Sequence, residues 1–139
     1  MIKQVEKVRL LEFEEHNDTR GNMVVVEGLK NIPFDIKRIF YIYDTDPGVI
    51  RGSHANRKSE FVLINVSGSS KVKIIDNDYE GIYILDKPNI GIYLPKMVWK
   101  EMYDFSSDSV LLTLASEPYD EKEYVRNYED FLKEGADIE

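Results

Sequence analysis

Short apolar segments recur along the chain and are separated by turn-forming residues. We predict strands at seven of these segments, residues 24–26, 36–43, 61–66, 72–75, 82–85, 90–94 and 110–114. The segments between them are rich in glycine, proline, asparagine, aspartate and serine, which favour turns. Because the strands follow one another closely, the pattern predicts a sandwich or barrel rather than alternating strands and helices.

The two segments on either side of Gly68 have different patterns. Residues 61–64 are apolar on both alternating faces, which is typical of an interior strand, whereas residues 71–74 alternate lysine with apolar side chains. We therefore expect the second of these strands to have one face in water. The glycine-containing turn between them predicts a hairpin.

The hydrophobic period changes near the C-terminus. Asp120 can cap a helix, the acidic residues that follow it favour the positive end of a helix dipole, and Tyr124, Tyr128 and Phe131 share one helical face. We predict one short helix here, ending at Gly135.

Composition limits the classes of partner. The chain has 139 residues with 42% hydrophobic content, which is enough for a single core, so we expect one domain over residues 1–139. Lysine and arginine number 18 against 26 aspartate and glutamate, and the formal charge is −8. Such a surface repels phosphate backbones and anionic lipid, so we expect neither a nucleic-acid nor a membrane partner. No signal-like or membrane-spanning apolar run is seen, which favours the cytoplasm.

Candidate catalytic groups are few because the chain has no cysteine and two histidines. His16 lies in a polar segment, where we expect a solvated side chain. His54 precedes the strongly apolar strand at residues 61–66, so we expect it where a loop enters the sandwich, pointing into the mouth of the barrel. From position alone, an ordinary hydrogen-bonded packing or loop histidine is the alternative.

Two segments resemble the conserved motifs of cupins. Gly52-Ser53-His54-Ala55-Asn56, with Glu60 and Gly68 downstream, resembles the first motif, and residues 91–95 followed by Trp99-Lys100 resemble the second. Metal-binding cupins place further histidine ligands where this chain has Asn56 and Lys100. Since an ammonium group opposes a dication, we expect no metal site and no cofactor.

More specifically, the chain resembles the nucleotide-sugar 3,4-ketoisomerases, which act on thymidine-diphosphate-linked (dTDP-linked) 4-keto-6-deoxyglucose. The matching stretches lie at residues 19–21, 31–38, 51–55, 98–105 and 114–128. The resemblance implies a mainly β fold, the double-stranded β-helix (cupin or jelly roll), with one short C-terminal helix. It also implies a homodimer, in which we expect residues 8–13 to be exchanged or interfacial.

The implied reaction moves a ketone from C4 to C3 through an enediol, so it needs a base that titrates near neutral pH. Imidazole, with an ordinary pKa of about 6.5, fits this task, and His54 is the candidate. Asn56 replaces the second histidine of the family and is a candidate donor to the enediolate oxygens, as are Arg20 and Lys100. Tyr41, which matches an aromatic position of the family, is a candidate proton relay or a core aromatic.

Arg51 and Arg57 flank His54 and are candidates for binding the diphosphate, Arg51 first, because a guanidinium makes bidentate contacts. Arg57 on a solvated edge is the alternative. Trp99 is expected either to stack on the base or, preferably, to fill the core, and Glu60 joins the candidate substrate site through the first motif.

Three functions are compatible with the sequence. The first is a ketoisomerase serving surface-glycan synthesis, such as lipopolysaccharide or S-layer glycan. The second is a nucleotide-sugar 3,5-epimerase of the same fold. The third, suggested by Asn56, is a non-catalytic sugar-nucleotide-binding cupin.

Overall fold

The computed structural model describes residues 7–77 and 79–137, which form twelve strands and one α-helix. In chain order the strands are β1 (Arg9–Glu12), β2 (Glu15–Asp18), β3 (Gly21–Val24), β4 (Arg38–Tyr43), β5 (Arg51–Asn56), β6 (Phe61–Ser67), β7 (Ser70–Asp76), β8 (Tyr79–Leu85), β9 (Ile90–Leu94), β10 (Trp99–Tyr103), β11 (Val110–Ala115) and β12 (Tyr124–Val125). The helix α1 spans Tyr128–Asp137. It is too short to cross a membrane, and no other helix of the described residues could do so.

Ten of the strands form two antiparallel sheets of five. The first sheet has the order β1-β9-β6-β11-β4, and the second has the order β12-β5-β10-β7-β8. The remaining two strands, β2 and β3, form a separate hairpin. The predicted jelly-roll fold with a short C-terminal helix is therefore confirmed.

The main core lies between the inner faces of the two sheets. Leu63 and Leu111 of the first sheet and Val72 and Ile74 of the second belong to one buried cluster. These apolar inner faces remove a large hydrophobic area from water, which is the main stabilising term for a domain of this size.

A second core explains why β6 is apolar on both faces. Val62 and Ile64 point to the outer side of the first sheet, where Phe13 and Phe34 from the N-terminal segment cover them. On β7 only alternate residues are buried, so its lysines lie towards solvent as predicted.

The predicted hairpin between residues 61–64 and 71–74 is wrong. Strand β6 pairs with β9 and β11, whereas β7 pairs with β8 and β10, so the turn carries the chain from one sheet to the other. Gly68 adopts a φ of 66° there, and an added Cβ would collide with Ser106 and Asp108. Burial on both faces was correctly inferred, but it does not reveal the pairing partner.

The predicted C-terminal helix begins later than expected. Asp120 caps a single 3₁₀ turn at Glu121–Glu123, and Tyr124 and Val125 then pair with β5 as a strand. The Asn127 side chain accepts a hydrogen bond from the Asp130 amide at 3.1 Å at the start of α1. Gly135 lies inside the helix and does not end it.

The remaining differences concern strands that the apolar pattern did not predict. The strands β1, β2, β5, β10 and β12 were not predicted, and the predicted strand at residues 24–26 overlaps β3 at Val24 alone. The sequences of β2 and β5, EHND and RGSHAN, contain almost no apolar residues, so hydrophobic periodicity could not identify them. His16 is exposed on β2, in agreement with the expected solvated side chain.

Candidate active site

A pocket opens between the inner faces of the two sheets. One wall comes from the first sheet and is mostly apolar, with Phe40, Ile42, Phe61, Leu63 and Thr113. The other wall comes from β5 and β10, with Arg51, Gly52, His54, Lys100 and Met102, and Tyr124 of β12 completes the lining. An apolar pocket with a few convergent polar groups is the usual form of a small-molecule site.

A bulge in β5 sets the position of His54. Gly52 and Ser53 adopt φ values of 86° and 58°, and the pairing with β10 shifts there, so that Lys100 faces His54 while Glu101 faces Gly52. The extra residue bends the strand and redirects the next side chain. A Cβ at Gly52 would lie 3.0 Å from the Lys100 carbonyl oxygen and 3.1 Å from Met102 Sδ, so the positive φ favours glycine and the space beside it is tight.

His54 is held as a neutral imidazole. Its Nδ1 lies 3.1 Å from the Gly52 carbonyl oxygen, which can only accept, so Nδ1 carries the hydrogen and Nε2 is left as the basic nitrogen. Burial, followed by the positive charge of Lys100, lowers the pKa of His54 to about 4, and Arg126 and Arg38 act in the same direction. The imidazole is therefore unprotonated at neutral pH.

The charge around His54 is opposite to that of the whole chain. Four cations, Arg38, Arg51, Lys100 and Arg126, either line the pocket or act electrostatically on His54, in a protein of net charge −8. This local concentration of positive charge favours an anionic ligand or an anionic intermediate.

Lys100 is buried in the same wall. Lys100 is only 4% exposed. Its Nζ donates a hydrogen bond to Asn56 Oδ1 at 3.1 Å and lies 4.5 Å from the centroid of the Phe61 ring. Burial lowers the pKa of Lys100 to about 7, although the nearby Glu123 carboxylate acts in the opposite direction. The amine is thus close to half-protonated at neutral pH.

Several buried polar atoms around the pocket lack a hydrogen-bond partner among the described residues. They are Nε and Nη2 of Arg38, Nδ2 of Asn56 and Oγ1 of Thr113. The Arg38 guanidinium lies over Phe40 and Tyr119, and its Nη1 reaches the Tyr124 hydroxyl at 3.4 Å. Because an unpaired buried polar group is costly, the unpaired atoms of Arg38 and Thr113 favour a polar ligand.

A protein-family comparison identifies the relatives of this chain. The family model described as FdtA: WxcM-like, C-terminal matches residues 6–136. The chain belongs to the FdtA family. This match spans nearly the whole chain.

Three relatives named as 3,4-oxoisomerase or 3,4-ketoisomerases match along nearly their whole length, which confirms the resemblance inferred from the sequence. The chain is 45% identical over 130 residues to a TDP-4-oxo-6-deoxy-alpha-D-glucose-3,4-oxoisomerase from Aneurinibacillus thermoaerophilus, a match that spans 94% of each sequence. A solved 3,4-ketoisomerase from Helicobacter canadensis is 45% identical, with a TM-score of 0.90 over 93% of this chain and 97% of that one. A histidine-to-asparagine variant of the Thermoanaerobacterium thermosaccharolyticum 3,4-ketoisomerase, solved with TDP-4-keto-6-deoxyglucose, is 40% identical with a TM-score of 0.91, over 96% of this chain and 97% of that one.

Three of the sequence candidates lie away from the pocket of this FdtA-family chain. Tyr41 is 61% exposed and points to the outer face of β4, where it stacks on Tyr43. Arg20 lies at the turn of the β2–β3 hairpin and pairs with Asp18 at 2.6 Å. Arg57 donates to both carboxylate oxygens of Glu134, at 3.0 and 2.6 Å. Within one chain, Tyr41 and Arg20 lie on the surface and Arg57 holds α1 through Glu134, so none of the three lines the pocket.

Three other candidates have structural partners. Trp99 packs on Tyr128 and Phe131 in a small core under α1, as the preferred core interpretation had it. Glu60 accepts a hydrogen bond from the Tyr93 hydroxyl at 2.6 Å. Asn56 is 1% exposed and does not line the pocket, so it contacts Lys100 rather than a ligand.

Sequence reasoning missed two residues of the pocket wall, Thr113 and Tyr124, and two arginines that act electrostatically on His54, Arg38 and Arg126. A signal existed for Arg38, because alternation along β4 places it on the same face as Phe40 and Ile42. Tyr124, whose ring lies 4.8 Å from that of His54, was hidden by the wrong assignment of its segment to a helix. Among residues 7–77 and 79–137, no three His, Cys, Asp or Glu side chains converge as a metal site would require.

Proposed function

We propose that this protein converts dTDP-4-keto-6-deoxyglucose into the dTDP-linked 3-keto-6-deoxyhexose through an enediol, with His54 as the base. The observation that carries the proposal is a neutral imidazole in a pocket whose other charged groups are cations. The similarity to a TDP-4-oxo-6-deoxyglucose 3,4-oxoisomerase along 94% of the chain supports the same reaction.

The chemistry requires a base and a stabilised enediolate. The C4 carbonyl acidifies the C3 hydrogen, which His54 Nε2 removes, and negative charge develops on the C4 oxygen. Lys100, with the hydroxyl groups of Thr113 and Tyr124, is available on the pocket wall to donate hydrogen bonds to these oxygens. Donors placed before the reaction begins often supply the largest catalytic term.

Arg51 is our proposed anchor for the diphosphate. It begins β5, lines the pocket and is exposed at its entrance, so it is accessible to a large anionic ligand. Its guanidinium can contact two phosphate oxygens at once. Arg38 and Arg126 add positive charge on the side of Tyr124.

The product of the reaction tests this function. The protein is incubated with dTDP-4-keto-6-deoxyglucose in deuterium oxide and the sugar is followed by NMR. We expect the carbonyl at C3 and deuterium at C4. Deuterium at C5 with the carbonyl still at C4 would support a 3,5-epimerase instead.

The non-catalytic alternative is distinguished by the same sample. A binding protein would show dTDP affinity by calorimetry with no exchange of sugar hydrogens into solvent. The pocket favours catalysis, because a ligand-binding role alone gives no reason to hold a histidine neutral beside a half-protonated lysine.

We infer a cytoplasmic homodimer whose product serves surface-glycan synthesis. A row of exposed apolar side chains on the edge strand β4, Ile39, Tyr41 and Tyr43, supports an interface with a second copy. Strand β1, within the segment expected to be exchanged, pairs with β9 of its own chain, at the other edge of the same sheet.

A further inference from the structure

We propose that Lys100, positioned by Asn56 and Glu123, carries protons between the two reacting sugar oxygens while His54 carries the carbon-bound proton. This inference rests on the ketoisomerase function proposed above. It assigns a second acid–base group to the site and a positioning role to two residues that do not line the pocket.

Lys100 and His54 are placed side by side by the sheet. They are direct partners in the pairing of β10 with β5, next to the bulge, and both line the pocket. The Nζ of Lys100 makes one hydrogen bond in the described part of the chain, to Asn56 Oδ1. Its remaining hydrogens are free to face a ligand, and the Phe61 ring beneath Nζ excludes water from that side.

Asn56 links Lys100 to a fixed carboxylate. The Glu123 carboxylate accepts from the Ser59 amide at 2.8 Å, the Ser59 hydroxyl at 2.5 Å and the Lys58 amide at 3.1 Å. Burial raises the pKa of Glu123, but these hydrogen bonds, with a smaller contribution from Asn56, outweigh it and keep the group ionised. The Asn56 Nδ2 makes no hydrogen bond among the described residues, but the Asn56 side chain helps to lower the pKa of Glu123.

The arrangement explains why an asparagine suits this position. A side-chain amide has an oxygen that accepts from the Lys100 ammonium and an NH2 group of the kind that a carboxylate accepts. Because Lys100 Nζ can only donate, its partner has to be an acceptor. The negative charge of Glu123 thereby stabilises the ammonium form of Lys100, against burial and the positive charge of Arg38. His54, neutral at neutral pH, adds no opposing charge.

The proton transfers balance over one turnover. His54 takes the C3 hydrogen as a proton, the C3–H electrons form the C3=C4 bond, and the C4 oxygen takes a proton from the Lys100 ammonium. The neutral amine then takes the proton of the C3 hydroxyl, whose O–H electrons form the new carbonyl, while C4 receives a proton from His54, which exchanges with solvent while the enediol is bound. Both groups return to their starting forms.

An amine with a pKa near neutrality is suited to this task. It is close to half-protonated at working pH, so it can give a proton to one oxygen and take one from the other with little change in driving force. An arginine at this place can only donate hydrogen bonds, because guanidinium does not lose its proton in proteins. Lysine and arginine are therefore experimentally distinguishable here.

The first test replaces the amine. Lys100→Arg and Lys100→Met should each lower kcat by at least about 100-fold, the lower limit for a positioned acid–base group. The dTDP affinity should be retained in both. The matched control is Lys73→Arg on neighbouring β7, whose side chain forms an ion pair with Glu80 outside the pocket and whose replacement should leave kcat unchanged. Turnover by Lys100→Arg at the wild-type rate would overturn the proton-transfer role.

The second test measures how Asn56 and Glu123 affect the pH dependence of kcat/KM. The alkaline limb of kcat/KM should lie near pH 7 in the wild type, where Lys100 loses its proton. Glu123→Gln removes a negative charge and should move this limb to lower pH, whereas Asn56→Asp adds one and should move it up by about 1–3 pH units. A merely structural role would lower activity without moving the limb in opposite directions.

The outcomes separate this inference from the function on which it rests. If the wild-type protein forms no 3-keto sugar, the ketoisomerase function fails. If it forms the product and the limb stays fixed in both folded variants, Lys100 is not the group held by Asn56 and Glu123, and the ketoisomerase function stands.

Discussion

At the scale of single residues, the main finding concerns the protonation of His54. Burial and surrounding cations lower its pKa to about 4, so the base is available throughout the neutral range. We predict an acid limb of kcat/KM near pH 4 rather than near the ordinary imidazole value of about 6.5. Activity should be measured from pH 4 to 8, with circular dichroism at each pH to exclude unfolding. An acid limb at 6.5 would contradict the inferred environment.

The same shift affects stability. The unfolded chain binds a proton at His54 below about pH 6.5, while the folded chain does so only below about pH 4. The free energy of unfolding should therefore fall as the pH is lowered between these values, and this contribution should disappear in His54→Asn.

Arg51 provides a second residue-scale prediction. Arg51→Lys keeps the positive charge but loses the planar fork, so phosphate contacts become weaker. We expect a loss of about 1–3 kcal/mol in dTDP binding, which is about a 5- to 150-fold rise in Kd by calorimetry. Arg57→Lys is the matched control, because Arg57 binds Glu134 and should not affect dTDP affinity. Equal affinities for Arg51→Lys and wild type would place the anchor elsewhere.

The sequence identified the pocket residues His54, Arg51 and Lys100, because they lie in motifs with a chemical reason for each residue type. It failed where the answer depends on distant partners. Nothing local shows that Arg57 meets Glu134, 77 residues further along the chain. The direction of the Tyr41 side chain was not recognised, since the alternation of β4 directs Phe40 and Ile42 inward and Tyr41 outward.

At the scale of elements, the bulge in β5 is the feature that builds the site. Gly52→Ala would introduce strain at a φ of 86° and place a methyl group against Lys100 and Met102. We predict a fall in kcat/KM of at least about 10-fold, because small displacements of a catalytic group are costly. Gly21→Ala is the control, since Gly21 also has a positive φ of 128° but nothing lies within 4 Å of its Cβ position. Equal activity in the two variants would show that the bulge does not position His54.

Hydrophobic periodicity predicted most of the strands whose residues are apolar, but it gave no signal for strands made of polar residues. The strands of the two cores follow hydrophobic periodicity, whereas β5 carries polar residues because it faces a ligand pocket. The segment at Tyr124 and Val125 has a helical hydrophobic pattern, but pairing with Asn56 and Ala55 makes it a strand. Tertiary contacts here override local pattern.

At the scale of the whole molecule, the exposed apolar row on β4 predicts association. Ile39, Tyr41 and Tyr43 are each more than half exposed, on an edge strand. We expect light scattering at micromolar concentration to give twice the chain mass of 16.2 kDa, and the double variant Ile39→Lys, Tyr41→Lys to shift the protein towards monomer. A wild-type monomer would contradict the dimer, and an unaffected dimer in the double variant would move the interface away from β4.

The proposed reaction depends on His54 as the base, and one measurement tests this role most directly. The rate at which the C3 hydrogen of dTDP-4-keto-6-deoxyglucose exchanges with deuterium oxide is followed by NMR for the wild type and for His54→Asn. We predict that the variant loses at least about 10²–10⁴ in this rate, with dTDP affinity nearly unchanged. Exchange by His54→Asn at the wild-type rate would contradict the assignment of the site.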